Sequence, residues 1–466
     1  MTASDPPCRS RQAPPRHLRD ASRTWVAVSL AISLLLAAFL VATLHLRTLT
    51  PLVRHDNGHG GADAAPIFGW WDIHAGWGTA GAIVVGLLVI WRGPTVARSL
   101  PWRVMMFATW GTAATWSVSL ALVDGWRRGF TMRLTDPNEY LHEVPAVTDI
   151  SAALRSFTRR IPDFQPDSWT THVAGHPPGA LLTFVWLDRL GLSGGAWAGA
   201  MVVAMGSSAA AAAVMTIRIV HDERTARAAA PFLATAPTAI WVAVSADGYF
   251  MAVVAWGIAL CARSLSLDGW PARATATAAG VLLGWAALLS YGLTLAGLLV
   301  LAVLATARNR RVALRAAVPA VLSATAMLGL FRLQGFWWVD GYHAVQERYW
   351  QGIAQDRPFR YWGWANFAST VCAVGLGSVA GVGHALDPAA LRSRYGLNLL
   401  IAAALAALVI ADISMLSKAE TERIWLPFTM WLTAAPALLP PRSRRCWLGV
   451  NVVGALVLNH VILTNW

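Results

Sequence analysis

Charge is the scarcest commodity of this 466-residue chain: Asp, Glu, Lys and Arg make up 13% of it, against about 25% in an ordinary soluble protein. Apolar residues reach 56%. A soluble domain of this size and a disordered chain are both excluded by that balance. Cysteine is rare as well. Cys8, Cys261, Cys372 and Cys446 lie in the N-terminal tail or in or beside apolar runs, so neither a disulfide framework nor a zinc-spaced cluster is available. No small-residue cleavage site follows the first apolar run, which argues for a retained span. No internal repeat of about 20 to 50 residues is evident. A solenoid therefore finds no support, and neither does a transporter built of two similar halves.

What the chain does have is a succession of long apolar runs. At about 20 residues per crossing, they predict an all-α, polytopic transmembrane bundle of about thirteen spans. Residues 1–24 form a basic cytoplasmic tail with Arg9, Arg11, Arg16, Arg19 and Arg23, and residues 25–466 form one membrane domain. The net charge of +13 sits mainly in short loops between apolar runs, the pattern of cytoplasmic loops. It calls for a lipid bilayer and no nucleic acid. Placing those arginines inside puts outer loops near 47–76, 124–175, 334–365 and 414–424, with interfacial helices in them. Spans fall near 225–246, 248–264, 272–289, 291–307, 314–332, 366–383, 396–415, 424–440 and 446–464, among others. Residues 180–219 take one full crossing and a re-entrant or interfacial piece.

The four outer loops hold nearly all the chemistry besides arginine. In the second, Asp136, Glu139 and Glu143 fall within eight residues, ahead of an apolar stripe (Ile150, Leu154, Phe157, Ile161) that suits a helix lying on the membrane. A carboxylate there can take a proton from an acceptor hydroxyl if it stays ionised and within reach; equally, acids in a long loop are often solvated or cap helices. His176 opens HPPG, whose prolines suit a first helical turn. It would meet a phosphate at the positive end of that helix, or merely mark the interface. Asp247 lies between two apolar runs, where an acid is costly unless paired or facing a polar cavity. Lys418 and Arg423 could clamp a phosphate or simply snorkel, and Glu420 and Glu422 could neutralise them. Trp338, Tyr342, His343 and Arg360, in the third loop beside Arg357, suit a sugar ring, or an aromatic interfacial belt. His55, Asp56, His59, Asp63, Asp72 and His74 have the donor types of a divalent metal site with irregular spacing, so a divalent ion is carried only as a cofactor candidate.

In order, DPNEYL in an outer loop, HPPGALL opening a span, SADGYF, and ERIWLPF resemble the landmarks of the GT-C membrane glycosyltransferases. That group includes protein O-mannosyltransferases, aminoarabinose lipid A transferases and the actinobacterial mannosyl- and arabinosyltransferases. The resemblance covers most of the chain from about residue 130 onward. It implies a GT-C-like fold and transfer of a sugar, mannose or arabinose being the guess, from a polyprenyl-phosphate donor to an extracytoplasmic glycan, glycolipid or protein, with inversion in a single displacement. It implies an inner-membrane enzyme of cell-envelope biogenesis whose site faces outward, where nucleotide sugars are not supplied. By resemblance, Asp136 or Glu139 is the catalytic base; His176, Lys418 and Arg423 hold the donor phosphate; and Tyr140, Asp247, Trp338, Tyr342, His343, Arg360 and Glu422 contact substrate. Two departures stand out: Pro137 and Asn138 separate the two acids, and two spans precede the loop. Other readings are a polytopic transporter or lipid flippase, and a non-catalytic partner in envelope assembly.

Overall fold

A computed structural model describes residues 16–44, 49, 51, 52 and 62–465, with side chains from residue 21 onward. Helix α1 (Arg16–Thr43) leads to a short strand β1 (Gly69–Trp71), then α2 (Trp77–Ser99) and α3 (Trp102–Ala121). The second loop carries several short 3-10 turns, α4 (Ile150–Ser156) and α5 (Thr171–Gly175). Helices α6 (Pro178–Arg189), α7 (Gly195–Val220), α8 (Glu223–Ala234), α9 (Ala239–Val242), α10 (Ala246–Leu265), α11 (Gly269–Leu289), α12 (Ala296–Ala305) and α13 (Arg310–Leu333) follow. The remainder is α14 (Trp338–Gln351), α15 (Phe359–Val374), α16 (Leu376–Ala385), α17 (Pro388–Arg392), α18 (Gly396–Ile413), α19 (Thr421–Ile424), α20 (Leu426–Leu432), α21 (Arg444–Val461) and strand β2 (Ile462–Thr464).

This is an all-α polytopic bundle, and its long apolar helices make the chain a multi-pass membrane protein. Among the described residues eight helices are long and apolar enough to cross a membrane, or nine if the bent pair α15 and α16 counts as one. The expected count of about thirteen spans is not reached by helices of that length. Apolar composition alone hid the breaks. The run expected near 225–246 stops at Thr235 and resumes as α9. The one near 291–307 opens as a 3-10 turn, and the one near 424–440 is divided into α19, α20 and a terminal 3-10 turn. The run at 366–383 bends by 107° at Gly375, whose φ of 80° suits glycine. Of the two helices within 180–219, α6 has 12 residues and α7 has 26.

The core forms where α10 packs between α7, α11 and α20. Small residues let these helices approach closely, as in many membrane bundles. A Cβ on Gly206 of α7 would stand 3.0 Å from the carbonyl of Gly248 on α10. On Gly280 of α11 it would run into the Ala320 carbonyl of α13. Helix α13 leaves its outer face apolar and uncovered, as the bilayer allows.

The arginine-rich turns gather at one end: Arg227 holds the carbonyls of Ala97 and Leu100, and Arg315 pairs with Asp268. At the opposite end the four polar loops meet. Strand β1 pairs antiparallel with β2, Arg128 and Arg133 hold the Thr464 carbonyl, and Asp163 pairs with Arg348 of α14. The stripe expected to lie on the membrane is turned inward instead. Leu154, Phe157 and Ile161 are buried, with Phe157 packed on Trp169 and Phe336, because α14 and the loop around it cover that face. The third loop also ends sooner than expected, since α15 begins at Phe359.

Candidate functional site

The site is built by stitching the DPNEYL loop to α5. The backbone carbonyl of Asn138 accepts from His172 N at 3.0 Å, and Thr171 Oγ1 donates to Asn138 Oδ1 at 3.1 Å. Asp136 closes an Asx turn, its Oδ1 accepting from Asn138 N and Nδ2 at 2.9 and 3.0 Å. That turn leaves Asp136 exposed and sends the next acid inward. Glu139 is 2% exposed, with Oε1 in ion-pair contact with His172 Nδ1 at 3.1 Å, outside hydrogen-bond geometry, and Oε2 buried without a hydrogen-bond partner.

Arg423 of α19 is the hub. Its Nη1 lies 2.5 Å from Asp247 Oδ2, and its Nη2 lies 3.2 Å from Glu420 Oε2 and 3.5 Å from His172 Nε2. Asp247 occupies the first turn of α10, where the helix dipole favours an anion. Glu420 Oε1 pairs with Arg357 at 3.1 Å. Arg357 in turn donates to the Lys418 carbonyl at 2.6 Å, and Lys418 Nζ returns a bond to the Arg357 carbonyl at 3.0 Å. Ala419 and Glu420 are both left-handed, with φ of 70° and 61°. Such residues cost of order 1–3 kcal/mol each, and the two guanidiniums gripping Glu420 hold them in place.

Burial opposes the charge on Arg423, yet Asp247, Glu420 and Glu139 outweigh it and raise its pKa above the usual value. Burial likewise opposes the Glu420 charge, and Arg357 and Arg423 overcome it and hold that carboxyl below its ordinary range. Tyr140 is pushed well up by burial, with Glu139 and Asp247 adding to the rise, so it stays a phenol. His176 Nδ1 contacts Tyr140 OH at 3.0 Å and the His172 carbonyl at 2.8 Å. The carbonyl can only accept, so that nitrogen carries a proton. Burial lowers the ring to about 4, so it is neutral at pH 7.

The remaining candidates separate. Glu422 is fully buried but points to the first loop, accepting from Phe68 N at 2.8 Å, and burial raises its carboxyl to about 7. Lys418 Nζ lies 4.6 Å from the centre of the Trp350 ring. Trp338 and Tyr342 stack on each other at 5.6 Å, with Tyr291 edge-on to Trp338 at 5.2 Å. His343 and Arg360 are exposed. The structure thus brings Glu139, Tyr140, His176, Asp247 and Arg423 together, sets Lys418 beside them, and leaves Asp136, His343 and Arg360 outside. His172 is the member not picked out from sequence. Its spacing of four from His176, which on a helix would place both on one face, was the available signal, although α5 ends at Gly175 and His176 is extended. Glu420 and Arg357 had weight only as neighbours.

Of the metal candidates, His55, Asp56 and His59 lie outside the described residues. Asp63 accepts from Trp71 N at 3.1 Å, and His74 pairs with Asp124 at 3.0 Å and with the Asp72 carbonyl at 2.9 Å. Among the described residues no three His, Cys, Asp or Glu side chains converge to hold a metal ion.

Comparison with known proteins finds similarity at the level of structure. The chain matches the crystal structure of the Archaeoglobus fulgidus oligosaccharyltransferase in complex with Zn and sulfate, at TM-score 0.49 and 14% identity, over 76% of this chain and 52% of that one. It matches the apo form of the same protein at TM-score 0.49 and 14% identity, over 72% and 50%. The chain spans about half the length of that protein. No family model and no curated protein matches it.

Proposed function

We propose that this chain is a membrane glycosyltransferase of the GT-C type. It moves a sugar, mannose or arabinose, from a polyprenyl-phosphate donor to a hydroxyl of an extracytoplasmic glycan, glycolipid or protein. The observation that carries the reading is the Glu139 carboxylate. It is buried, its Oε2 is unpartnered, and it faces a cluster assembled from segments far apart in sequence, with Arg423 at the centre. A buried acceptor atom without a partner is costly in a merely structural role, and is what a general base requires.

In the proposed step the acceptor hydroxyl gives its proton to Glu139 Oε2. Its oxygen forms the new bond to the anomeric carbon as the bond to the lipid phosphate breaks, and the departing phosphate keeps that electron pair. One displacement inverts the centre. Arg423, held charged by three carboxylates that include the base, meets the developing phosphate charge. His176, neutral at pH 7, supplies a polar wall and no charge. Bound substrate would complete the aromatic side through Trp338 and Tyr342.

The test is transfer by the purified full chain from a panel of polyprenyl-phosphate sugars, mannose and arabinose included, to a glycan acceptor. Transfer that Glu139→Gln abolishes supports the reading; a folded Glu139→Gln protein working at the wild-type rate overturns it.

A further inference from the structure

The base has a neighbour whose geometry is constrained from both sides. His172 stands between Glu139 and Arg423, with Nδ1 3.1 Å from Glu139 Oε1 and Nε2 3.5 Å from Arg423 Nη2. A guanidinium can only donate, so the nitrogen facing it must present a lone pair. The ring proton is then on Nδ1, 3.1 Å from the carboxylate but off the line of a hydrogen bond to it in this structure. The ring is fixed by its backbone as well: His172 N donates to the Asn138 carbonyl, and its own carbonyl accepts from His176. Asn138 immediately precedes the base, so ring and carboxylate are held by adjoining links of one chain.

Resting on the reading of Glu139 as base, we infer that His172 is a positioning residue of the reaction. When substrate binds, a small turn of the ring aligns its Nδ1 proton with Oε1, which fixes the carboxylate rotamer and leaves Oε2 as the oxygen that receives the proton of the acceptor hydroxyl. His172 keeps its own proton throughout, and no charge passes to Arg423. Arg423, braced by Asp247 and Glu420, fixes the tautomer, so the guanidinium serves the base through the ring as well as serving the donor.

Three variants test this in the full chain, with polyprenyl-phosphate mannose and polyprenyl-phosphate arabinose as the donor probes. His172→Phe fills the ring space and cannot donate. It should lower kcat by up to about 100-fold, the scale of a misplaced catalytic group, with donor KM changed by less than about twofold. His172→Asn puts an amide nitrogen near the Nδ1 position and should recover most of kcat. His172→Gln, whose amide reaches toward the Nε2 position instead, should not. A folded His172→Phe protein with wild-type kcat, or rescue by Gln and not by Asn, overturns the inference. If the Phe variant does not fold, the Asn and Gln pair still decides it. Loss of transfer in Glu139→Gln with none in His172→Phe removes the His172 role alone, whereas undiminished transfer in Glu139→Gln removes the reading beneath it.

Discussion

Asp136 and Glu139 are three residues apart and face opposite ways, and the cause is local. The Asx turn spends one Asp136 oxygen on Asn138 and leaves that side chain in water, while Glu139 enters the cluster. Glu139→Gln should therefore lower transfer by about 100-fold to 10,000-fold, whereas Asp136→Asn should stay near the wild-type rate; equal losses in the two would contradict the geometry. Glu143 accepts from Thr170 N at 3.0 Å and lies 3.9 Å from Arg160, so Glu143→Gln should show itself in thermal stability before it shows in rate. Glu422 carries a pH dependence. Its folded value of about 7 stands above the 4.5 of an unperturbed carboxyl, so the folded protein binds this proton more tightly than the unfolded one. Its contribution is intact below about pH 4.5 and is lost as pH rises toward 7, with a slope of at most about 1.4 kcal/mol per pH unit. Glu422→Gln should flatten that part of the melting profile measured in detergent, and an unchanged slope would assign the effect elsewhere.

Helices that meet end-on at the site depend on close approaches that sequence shows only as glycine. A Cβ on Gly179, in the first turn of α6, would lie 2.5 Å from the backbone carbonyl of Leu288 on α11. That atom cannot swing aside, so Gly179→Ala should cost about 1–3 kcal/mol and displace the helix start that follows His176. Gly175→Ala, where a Cβ meets nothing within 4 Å, is the control, and equal melting temperatures for the two would refute the packing argument. HPPG was legible as a helix start because proline suits the first turn, and α6 does begin at Pro178. The breaks in α8, α12 and α20 were not. Each lies inside an apolar stretch, and hydropathy reports what a segment dissolves in, not whether its backbone remains one helix. Asp247 and Arg423 were each legible as a costly charge beside a span. Their pairing across 176 residues was not, because it depends on how α10 and α19 are brought end to end.

At the scale of the whole molecule, the two ends of the bundle differ in kind. One is held by Arg227 and Arg315 on carbonyls and acids of the short turns; the other carries the buried cluster of Glu139, His172, Arg423, Asp247 and Glu420. Which end faces the cytoplasm decides the donor, and the arginine bias predicts that it is the first. In a background lacking Cys446, which is exposed, Pro166→Cys in the second loop should react with a membrane-impermeant thiol reagent on intact cells. Asn309→Cys, in the turn before α13, should react only after the membrane is opened. The two positions lie at opposite ends of the fold, so their labelling must be reciprocal whichever way the protein sits. Labelling of Asn309→Cys alone would place the Glu139 cluster in the cytoplasm, within reach of nucleotide sugars, and would remove the physical reason for a lipid-linked donor while leaving the geometry of the base intact.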